Sequence, residues 1–551
     1  MNQSKIILRP SKAIFSPDEN ILIEIQLPVQ LDDSYYLEVF HLERKILRTS
    51  IDANEFEYLL ELTDEERIGG RGFGLFLRNS ENAIIASSAF DFLSPHRKTF
   101  RYGFVCDFKT IDGEKSSEIL DFFKDFHLTH SQFYDWVYRH HDYRAPEAKY
   151  LDLMGKEIDS SVIKDLISNF RQAGIHSLGY GAVYAAGEDY WKSHREEGLD
   201  DYRGNPHCLI NTFYIMDIRK NSPWTKHIRR QFRYAVEEFG FDGLHMDTYG
   251  YPKRAWNKGE AVYLEKEFPR FIKEVREDLP GAELLFNNVG NWPVQATAQA
   301  PQDGVYIEVW EPHDEYRHIR QILQDSVGFG KPVILAAYLA PFRLEENHGG
   351  KKSLMAARLL TAVIVIHGGY HLLLGDRGAA ITQGYYNDYS ILTSDERTKL
   401  KGDYDFMVRY GELFYDFNLV DISETHTAGE NKEYLFEGAP TSPDGRAGTV
   451  WTVVREDKHR KVLSFINLLD QDDAKWNSGK NTDIKAVEMI VDIPLDGEVS
   501  TLYYASPDFN SGEAISLEGK EILGIRGPAL QVIIPPLSVW GILVVEFNFP
   551  D

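Results

Sequence analysis

The chain has 551 residues, too many for one hydrophobic core, and this length predicts about three domains because a domain usually has about 100–200 residues. Its net charge of −25 argues against nucleic acid or an anionic membrane surface as a partner, but not against a neutral substrate such as a sugar. The two cysteines, Cys106 and Cys208, give neither a zinc-binding spacing nor a disulfide framework, and we expect no metal ion and no cofactor.

The first fifteen residues contain no apolar stretch of signal-peptide length. We therefore expect a cytoplasmic protein if the sequence is native as given, or an extracellular one if it is a mature form whose signal has been removed. The sequence gives no oligomeric state.

Residues 1–97 contain short segments of strand composition that are separated by turn residues at intervals typical of a sandwich. We interpret this part as an immunoglobulin-like antiparallel β-sandwich, with a boundary near the "SPHRK" of residues 94–98. The five predicted strands lie within 21–29, 34–42, 55–62, 72–79 and 82–93.

Residues 98–417 alternate apolar strands with amphipathic helices, and eight such units predict a parallel (β/α)8 TIM barrel. A doubly wound open sheet is the alternative, but no strand is followed by a glycine-rich phosphate loop. The predicted strands lie within 100–108, 127–136, 177–186, 241–247, 283–290, 304–310, 331–339 and 363–375. The most apolar segment, residues 359–375, is interpreted as a buried strand and not as a membrane span.

Residues 418–551 return to strands without helices and predict a second β-sandwich. The predicted strands lie within 448–457, 461–469, 486–494, 499–506, 530–536 and 540–547. The expected fold is therefore multidomain, with a catalytic barrel between two antiparallel β-sandwiches.

The stretch "FDGLHMDTYG", residues 241–250, places an acid where the fourth barrel strand ends. Strand residues alternate between the two faces of a sheet, so Gly243, His245 and Asp247 share one face, while Leu244 and Met246 face the helices. Because ligands bind at the carboxyl ends of barrel strands, we expect Asp247 to point into the barrel mouth.

The sixth strand, "GVYIEVWEP", has an aliphatic face that packs on helices and an opposite face formed by Tyr306, Glu308 and Trp310. Glu308 is therefore expected to point inward between two aromatic rings. Glu311 follows the end of the strand and is interpreted as a loop acid.

Two inward carboxylates at one end of a barrel indicate glycoside hydrolysis, in which one attacks the anomeric carbon and the other protonates the leaving oxygen. Aromatic neighbours should raise the pKa of Glu308, which favours the acid/base role, whereas Asp247 beside His245 and Thr248 should stay ionised and act as nucleophile. The alternative is that each acid forms an ion pair with a lysine or arginine of the barrel.

The chain resembles glycoside hydrolase family 66, which contains dextranases and cycloisomaltooligosaccharide glucanotransferases. This resemblance implies retaining cleavage of α-1,6-glucosidic bonds in an α-glucan or oligosaccharide, with Asp247 as nucleophile and Glu308 as acid/base. The matching blocks are "QFYDWVYRH" at 132–140, "FDGLHMDTYG" at 241–250, "YIEVW" at 306–310, "PVILAAYL" at 332–339, and "HLLLGD" with "YYND" between 371 and 388.

The same blocks supply candidate sugar-binding residues. Trp136 can instead pack within the barrel, and His245, His367 and His371 can instead be hydrogen-bonded core histidines. The candidates are Tyr134, Asp135, Trp136, His245, Tyr306, Trp310, Tyr338, His371 and Asp376, the last of which replaces the glutamate that ends this block in the family.

Three functions remain open at the level of sequence: an endo-acting dextranase, a cyclising glucanotransferase, and a carbohydrate-binding protein on an inactive barrel. Both carboxylates are present, which disfavours the third. As the resemblance implies, cyclising members carry a sugar-binding module between strands seven and eight, whereas here this connection holds a short loop and one helix. We therefore expect hydrolysis.

Overall fold

A computed structural model of the chain describes residues 6–27, 34–52, 56–110, 113–343 and 350–548. Its N-terminal region contains two antiparallel sheets that share one hydrophobic core. Two of their strands, Ile7–Pro10 and Arg44–Ile51, were not expected from the sequence. The three-stranded sheet has the order Ile7–Pro10, Ile21–Gln26, Glu57–Leu60, and the four-stranded sheet the order Arg44–Ile51, Tyr35–His41, Gly72–Arg78, Ile84–Asp91.

Eight parallel strands, β1 to β8, follow one another in chain order around a curled sheet. Directly after β8, residues Leu374–Gly375 pair in parallel with β1, so the sheet closes on itself. This is the strand order of the predicted barrel. The strands are β1 Tyr102–Val105, β2 His130–Phe133, β3 His176–Ala182, β4 Gly243–Asp247, β5 Glu283–Val289, β6 Val305–Glu308, β7 Val333–Ala336 and β8 Gly369–Leu372.

A helix follows each barrel strand, and its apolar side belongs to the same core as the strands. Local signals explain two helix starts: the Asp159 side chain caps the helix that begins at Ser160, and Thr393 forms a capping box with Glu396 at the start of the helix that begins at Ser394. The helices are α1 Gly113–Asp125, α2 Ser160–Gln172, α3 Pro223–Arg233, α4 Leu264–Asp278, α5 Val294–Thr297, α6 Tyr316–Val327, α7 Lys351–Ile366 and α8 Ser394–Arg409. A π-helical turn, Tyr234–Phe239, extends α3.

The interpretation of residues 359–375 as one strand is wrong in its first half. Helix α7 continues through the β-branched run to Ile366, and β8 begins only at Gly369. The helix is buried almost all round because it lies among other elements of the same core, so it lacks the polar face that marks a surface helix in a sequence.

Connections at the mouth of the barrel carry small sheets of their own. After β3, the strands Ala185–Ala186, Cys208–Leu209 and Phe213–Ile215 form an antiparallel sheet, and after β4 the strands Arg254–Asn257 and Glu260–Tyr263 form a hairpin. Two further strands, Ala379–Ile381 and Tyr389–Ile391, follow β8. A two-stranded sheet, Lys149–Leu151 with Glu157–Asp159, and the helix Glu188–Ser193 complete this region. The short helix Gly411–Phe414 follows α8 at the other end of the barrel, where Arg97, which precedes β1, donates to the carbonyl of Gly411.

The C-terminal region contains a larger and a smaller sheet around a second core. The larger sheet has the order Val420–Asp421, Val450–Glu456, Arg460–Asn467, Trp540–Asn548, Glu498–Ala505, Ile515–Ser516, with Thr441–Ser442 beside its second strand. The smaller sheet has the order Leu435–Glu437, Val487–Pro494, Gly527–Leu537, Gly519–Gly524.

Both outer regions contact the barrel region, and they also contact each other. Trp540 donates its indole N–H to Asp403 of α8 at 2.9 Å, and Asp403 also pairs with Arg358 of α7. Arg78 of the N-terminal region forms an ion pair with Glu513 of the C-terminal region at 2.7 Å. The domain boundaries at residues 97/98 and 417/418 stay predictions. Within the described ranges, no helix is both long enough and apolar enough to cross a lipid bilayer.

Candidate active site

A cavity of about 390 Å³ opens at the carboxyl ends of the barrel strands. Asp247 at the end of β4 and Glu308 at the end of β6 both line it, as strand alternation predicts. Asn287 of β5, the strand between them, lies on the same wall. The position is the one at which (β/α)8 enzymes hold their catalytic groups.

The two carboxylates share one hydrogen-bond donor. The side-chain amide of Asn287 donates to Asp247 Oδ1 at 2.7 Å and to Glu308 Oε2 at 3.0 Å. Because one nitrogen makes both bonds, these two oxygens lie less than about 6 Å apart. Each carboxylate also accepts a tyrosine hydroxyl, Asp247 from Tyr180 at 2.8 Å and Glu308 from Tyr338 at 2.9 Å.

All hydrogen-bond donors to the two carboxylates named above are neutral groups, and this affects the pKa values of Asp247 and Glu308. Burial raises the pKa of Asp247 to about 7, and the nearby Glu308 carboxylate adds to the shift, while the Asn287 and Tyr180 hydrogen bonds oppose it. Burial also raises the pKa of Glu308, against the hydrogen bonds from Asn287 and Tyr338. Two coupled carboxyls of this kind titrate as a pair and retain a proton into the neutral range.

The expectation that desolvation would act on Glu308 alone, leaving Asp247 ionised, is therefore wrong for the free site. Asp247 is enclosed as well, since Tyr134, Tyr180 and Tyr249 surround the same part of the cavity. The alternative that each acid pairs with a lysine or arginine is also wrong, because neither residue type is among the described residues that line this cavity.

Aromatic rings form a large part of the cavity wall. Tyr134 stacks on Tyr386 with centroids 4.4 Å apart, and the Tyr386 hydroxyl is 2.8 Å from that of Tyr306 and 3.3 Å from that of Tyr338. Trp310, 42% exposed, stands at the rim beside Tyr338. Faces of aromatic rings bordered by hydroxyls suit the apolar faces and polar edges of a pyranose ring.

Asp135 and His245 also reach the cavity, in different ways. Asp135 lies in a turn after β2 with φ of 51°, and its carboxylate bonds to His140 Nε2 at 2.9 Å. Burial alone would raise the pKa of Asp135, but His140 brings it below its usual value. His245 lies deeper, with Nδ1 3.1 Å from the Tyr102 hydroxyl, and burial lowers its pKa to about 3, so it is neutral.

Three predicted binding residues do not line the cavity. Trp136 is fully buried against Phe239 and Phe241, and its indole N–H donates to the carbonyl of Tyr180 at 3.0 Å. Tyr134 and Asp135 of the "FYDW" block line the cavity, whereas Trp136, the next residue along the chain, is buried behind it.

His371 and Asp376 are the other two. His371 is held between Thr361 Oγ1 and the carbonyl of Ala337, each at 3.0 Å, and thus lies in the core, as the alternative for this histidine stated. Asp376 accepts the backbone N–H and the thiol of Cys106 at 3.1 Å, and burial raises its pKa to about 6. His367 is likewise buried, with Nδ1 2.7 Å from the carbonyl of Val363.

Several lining residues were not identified from the sequence. Tyr180 and Asn287 occupy inward positions of β3 and β5, and the parity argument that found Asp247 also applies to both strands. Tyr385 and Tyr386 belong to the "YYND" block, whose position after β8 gave no indication of which side chains reach the site. Phe213, Tyr249 and Gly384 also line the cavity.

A groove of about 570 Å³ continues from the rim past Trp310 and Tyr338 toward the C-terminal region. Its far wall contains Lys475, Trp476 and Asn477. This wall is attached to the barrel, since Trp476 donates its backbone N–H to the carbonyl of Asp314 at 3.1 Å and Asn477 Oδ1 accepts the backbone N–H of Ala340 at 2.8 Å. The groove begins on the Glu308 side of the cavity.

The family model for "Glycosyl hydrolase family 66" matches residues 10–544 of the chain. Two curated relatives from Niallia circulans, each a cycloisomaltooligosaccharide glucanotransferase, are 21% identical over 704 and 708 aligned positions, which cover 98% and 97% of this chain and 71% and 72% of the relatives.

Solved structures agree in fold. A cycloisomaltooligosaccharide glucanotransferase from Paenibacillus sp., in complex with cycloisomaltoheptaose, superposes with a TM-score of 0.87 at 19% identity and covers 98% of this chain and 99% of that one. A maltogenic α-amylase from Thermotoga neapolitana gives a TM-score of 0.52 at 13% identity, with coverage of 82% and 99%.

Proposed function

Because the chain belongs to glycosyl hydrolase family 66, we propose that it cleaves α-1,6-glucosidic bonds of dextran or isomaltooligosaccharides through a covalent glycosyl-aspartate. The observation that carries this proposal is the pair Asp247 and Glu308, which faces one aromatic cavity and shares the amide of Asn287. The substrate class comes from the names of the relatives, which are cycloisomaltooligosaccharide glucanotransferases, one of them in complex with cycloisomaltoheptaose.

The separation of the carboxylates supports retention of anomeric configuration. Retaining glycosidases hold their two carboxyls about 5–5.5 Å apart, whereas inverting enzymes need about 6.5–9.5 Å to fit a water molecule between acid and sugar. The shared Asn287 nitrogen limits the facing oxygens of Asp247 and Glu308 to less than about 6 Å.

In the first step, an oxygen of ionised Asp247 attacks the anomeric carbon while Glu308 gives its proton to the glycosidic oxygen. The bond from the anomeric carbon to that oxygen breaks, the sugar on the leaving side departs with a free hydroxyl, and the remaining glycosyl group is esterified to Asp247. Because the pKa values of both groups are raised, the pair of carboxyls retains the single proton that this step needs.

In the second step, Glu308 acts as the base. Glu308 has given up its proton in the first step, and it is therefore an ionised carboxylate that can accept a proton. It takes this proton from the hydroxyl of an acceptor, whose oxygen attacks the anomeric carbon and displaces Asp247. The enzyme thereby returns to its starting protonation state.

For the acceptor, the relatives favour a sugar hydroxyl. The curated relatives and the family 66 structure are all named glucanotransferases, and this supports transfer within one chain, which forms rings, better than the hydrolysis expected from the sequence. Ring formation requires the far end of the bound glucan to reach the glycosyl-Asp247 ester before water does.

Water is the second candidate acceptor, and the alignment with a curated relative favours it. The alignment with one relative spans 704 positions, whereas this chain has only 551 residues, so that relative carries well over a hundred residues that this chain lacks. A tethered sugar-binding module raises the effective concentration of the distant chain end, and without one the entropic cost of closing a ring is not offset.

The groove toward the C-terminal region fits the leaving side of the substrate. Trp310 and Tyr338 line both the cavity and the groove, and Tyr338 donates to Glu308, the group that protonates the leaving oxygen. The sugar beyond the broken bond should therefore lie over Trp310, and the following sugars along the groove past Asn477.

Mass spectrometry of the products from dextran tests both the bond cleavage and the acceptor. A cyclic product is lighter by one water than its linear counterpart and resists exo-acting glucosidase. A dominant ring series supports the transferase, and a linear series supports the hydrolase. Binding of dextran without any product would contradict the proposal and would favour the remaining candidate function, a carbohydrate-binding protein.

A further inference from the structure

Three side chains of types that can bind a metal ion lie close together at the end of the barrel opposite Asp247 and Glu308. His130, His176 and Glu283 are the first residues of β2, β3 and β5, and therefore lie at the amino ends of these strands. They are the one group of three His, Cys, Asp or Glu residues in the described part of the chain whose ligand atoms lie within 4.8 Å of one another.

The nitrogen and oxygen atoms of this cluster lie close together, but two of them have no hydrogen-bond partner. His130 Nε2 is 2.9 Å and His176 Nδ1 is 3.3 Å from the same oxygen, Glu283 Oε2. His130 Nε2 and Glu283 Oε2 are both buried, yet neither has a hydrogen-bond partner of acceptable geometry among the described residues. These two buried atoms therefore lie 2.9 Å apart without a hydrogen bond between them.

We propose that His130, His176 and Glu283 bind a divalent transition metal of the zinc class. Zinc is bound by imidazole nitrogen and carboxylate oxygen at about 2.0–2.2 Å, and tetrahedral geometry then places ligand atoms about 3.3 Å apart. The distances of 2.9 and 3.3 Å between Glu283 Oε2 and the two imidazole nitrogens approximate these edges. Two imidazoles and one carboxylate also match the ligand preference of zinc.

The surroundings orient the ligands. The Nδ1 atom of His130 is 2.8 Å from Thr129 Oγ1, and its ring stacks on Phe100 with centroids 3.7 Å apart, which fixes the ring so that Nε2 faces Glu283. Metal-binding histidines commonly hold their second nitrogen in such a contact. Gly243, at the start of the intervening β4, has no side chain to separate β3 from β5 at this level.

The charges also suit a cation. The Glu283 carboxylate lies against two imidazole nitrogens, His130 Nε2 and His176 Nδ1. Lys98 lies 4.0 Å from the other oxygen of Glu283, but its ammonium group is paired with Asp303, which also binds Arg276.

A cation can reach the cluster from solvent. His176 and Glu283 line a surface cavity of about 550 Å³, and the His176 side chain is 49% exposed. Three protein ligands leave one tetrahedral position for water. Since the cluster lies at the amino ends of strands whose carboxyl ends hold the sugar site, we assign the metal a role in joining β2, β3 and β5, and none in glycosyl transfer.

The test is a titration of chelator-treated protein with zinc chloride by calorimetry, together with the absorption spectrum of the cobalt(II) form. We expect one equivalent of zinc per chain, a tetrahedral cobalt spectrum, and a rise in Tm of at least about 2 °C at saturation. His176→Ala and Glu283→Gln should each weaken zinc binding at least tenfold, while His96→Ala, at an exposed histidine outside the cluster, should leave it unchanged.

Two results would overturn the proposal. One is the absence of stoichiometric zinc uptake by the unsubstituted protein. The other is equal zinc affinity in the unsubstituted protein, His176→Ala and Glu283→Gln. If the two cluster variants lose thermal stability while zinc adds none to the unsubstituted protein, the cluster is an ion pair only. Because glycosyl transfer does not enter these measurements, they are independent of the proposed function.

Discussion

The two ends of the barrel both hold enclosed carboxyl groups, but with opposite consequences for their charge. At the carboxyl ends of the strands, Asp247 and Glu308 accept hydrogen bonds from an amide and from tyrosine hydroxyls, and burial raises both pKa values. At the amino ends, Glu283 faces two imidazoles, which hold its pKa well below the usual range. Partner charge, and not burial alone, therefore decides whether a barrel acid keeps a proton.

This difference fits the chemistry assigned to each end. A pair that exchanges one proton during glycosyl transfer needs pKa values near neutrality, which neutral donors permit. A carboxylate that pairs with histidines or binds a metal ion must stay anionic, and the two imidazoles beside Glu283 favour its anionic form. Four predictions test this contrast, from the largest expected effect to the smallest.

Removal of either acid at the mouth should abolish turnover. Asp247→Asn and Glu308→Gln are each expected to lower kcat by about three or more orders of magnitude, because both groups act in the bond-breaking step. Release of reducing ends from dextran measures this. Glu311→Gln, at the loop acid just beyond β6, is the matched control and should stay within a few-fold of the unsubstituted enzyme. An inactive Glu311→Gln with an active Glu308→Gln would reverse the assignment of the sixth strand.

Loss of the shared donor should shift the pH profile. The Asn287 hydrogen bonds lower the pKa of both acids, so Asn287→Ala should raise both, move the acidic limb of kcat/KM to higher pH, and reduce kcat about 10- to 100-fold. Tyr338→Phe removes a donor from Glu308 only and should move the basic limb to higher pH. Limbs that remain in place in both variants would contradict the paired titration.

The stability of the two ends should depend on pH with opposite signs. The pKa of Asp247 rises on folding from 3.8 to about 7, so the folded chain holds a proton that the unfolded chain loses, and stability falls between about pH 4 and 7. Asp247→Asn should accordingly raise Tm by a few degrees at pH 8 and have little effect near pH 4.

Glu283 has a depressed pKa, so its contribution is present above its unfolded value and lost as pH falls through the folded one. Glu283→Gln should therefore lower Tm at pH 7 without changing kcat, and the loss should shrink in acid. Differential scanning calorimetry of both variants in the presence of chelator makes the comparison. Parallel pH dependences would show that the two ends do not differ as described.

Aromatic residues at the mouth should affect substrate binding only where they reach the cavity. Trp310→Ala is expected to raise KM about five- to tenfold, because it removes an exposed ring from the rim. Trp136→Phe, in the matching block but buried against Phe239, should leave KM unchanged and lower only thermal stability. Initial rates with isomaltooligosaccharides of defined length test both variants, and an increased KM for Trp136→Phe would argue against its position behind the wall.

Local patterns in the sequence predicted the inward acids because strand alternation needs no knowledge of distant residues. The inward direction of Asp247 and Glu308 follows from strand alternation in β4 and β6. The same rule gives inward positions to Tyr180 of β3 and Asn287 of β5. Helix α7 was misread for the opposite reason: its burial removes the polar face that local patterns depend on.

The sequence by itself determined the order of strands and helices, the face that each barrel strand turns inward, and the two acids that reach the mouth. Only the tertiary structure decided which loop side chains enter the cavity, so Tyr386 lines it while Trp136, His371 and Asp376 do not. It also decided the charge of each acid, because a pKa depends on partners such as Asn287 or His130 that are brought near by the closed sheet. Side-chain direction within a strand is a local property, whereas desolvation and partner charge arise only when distant segments pack together.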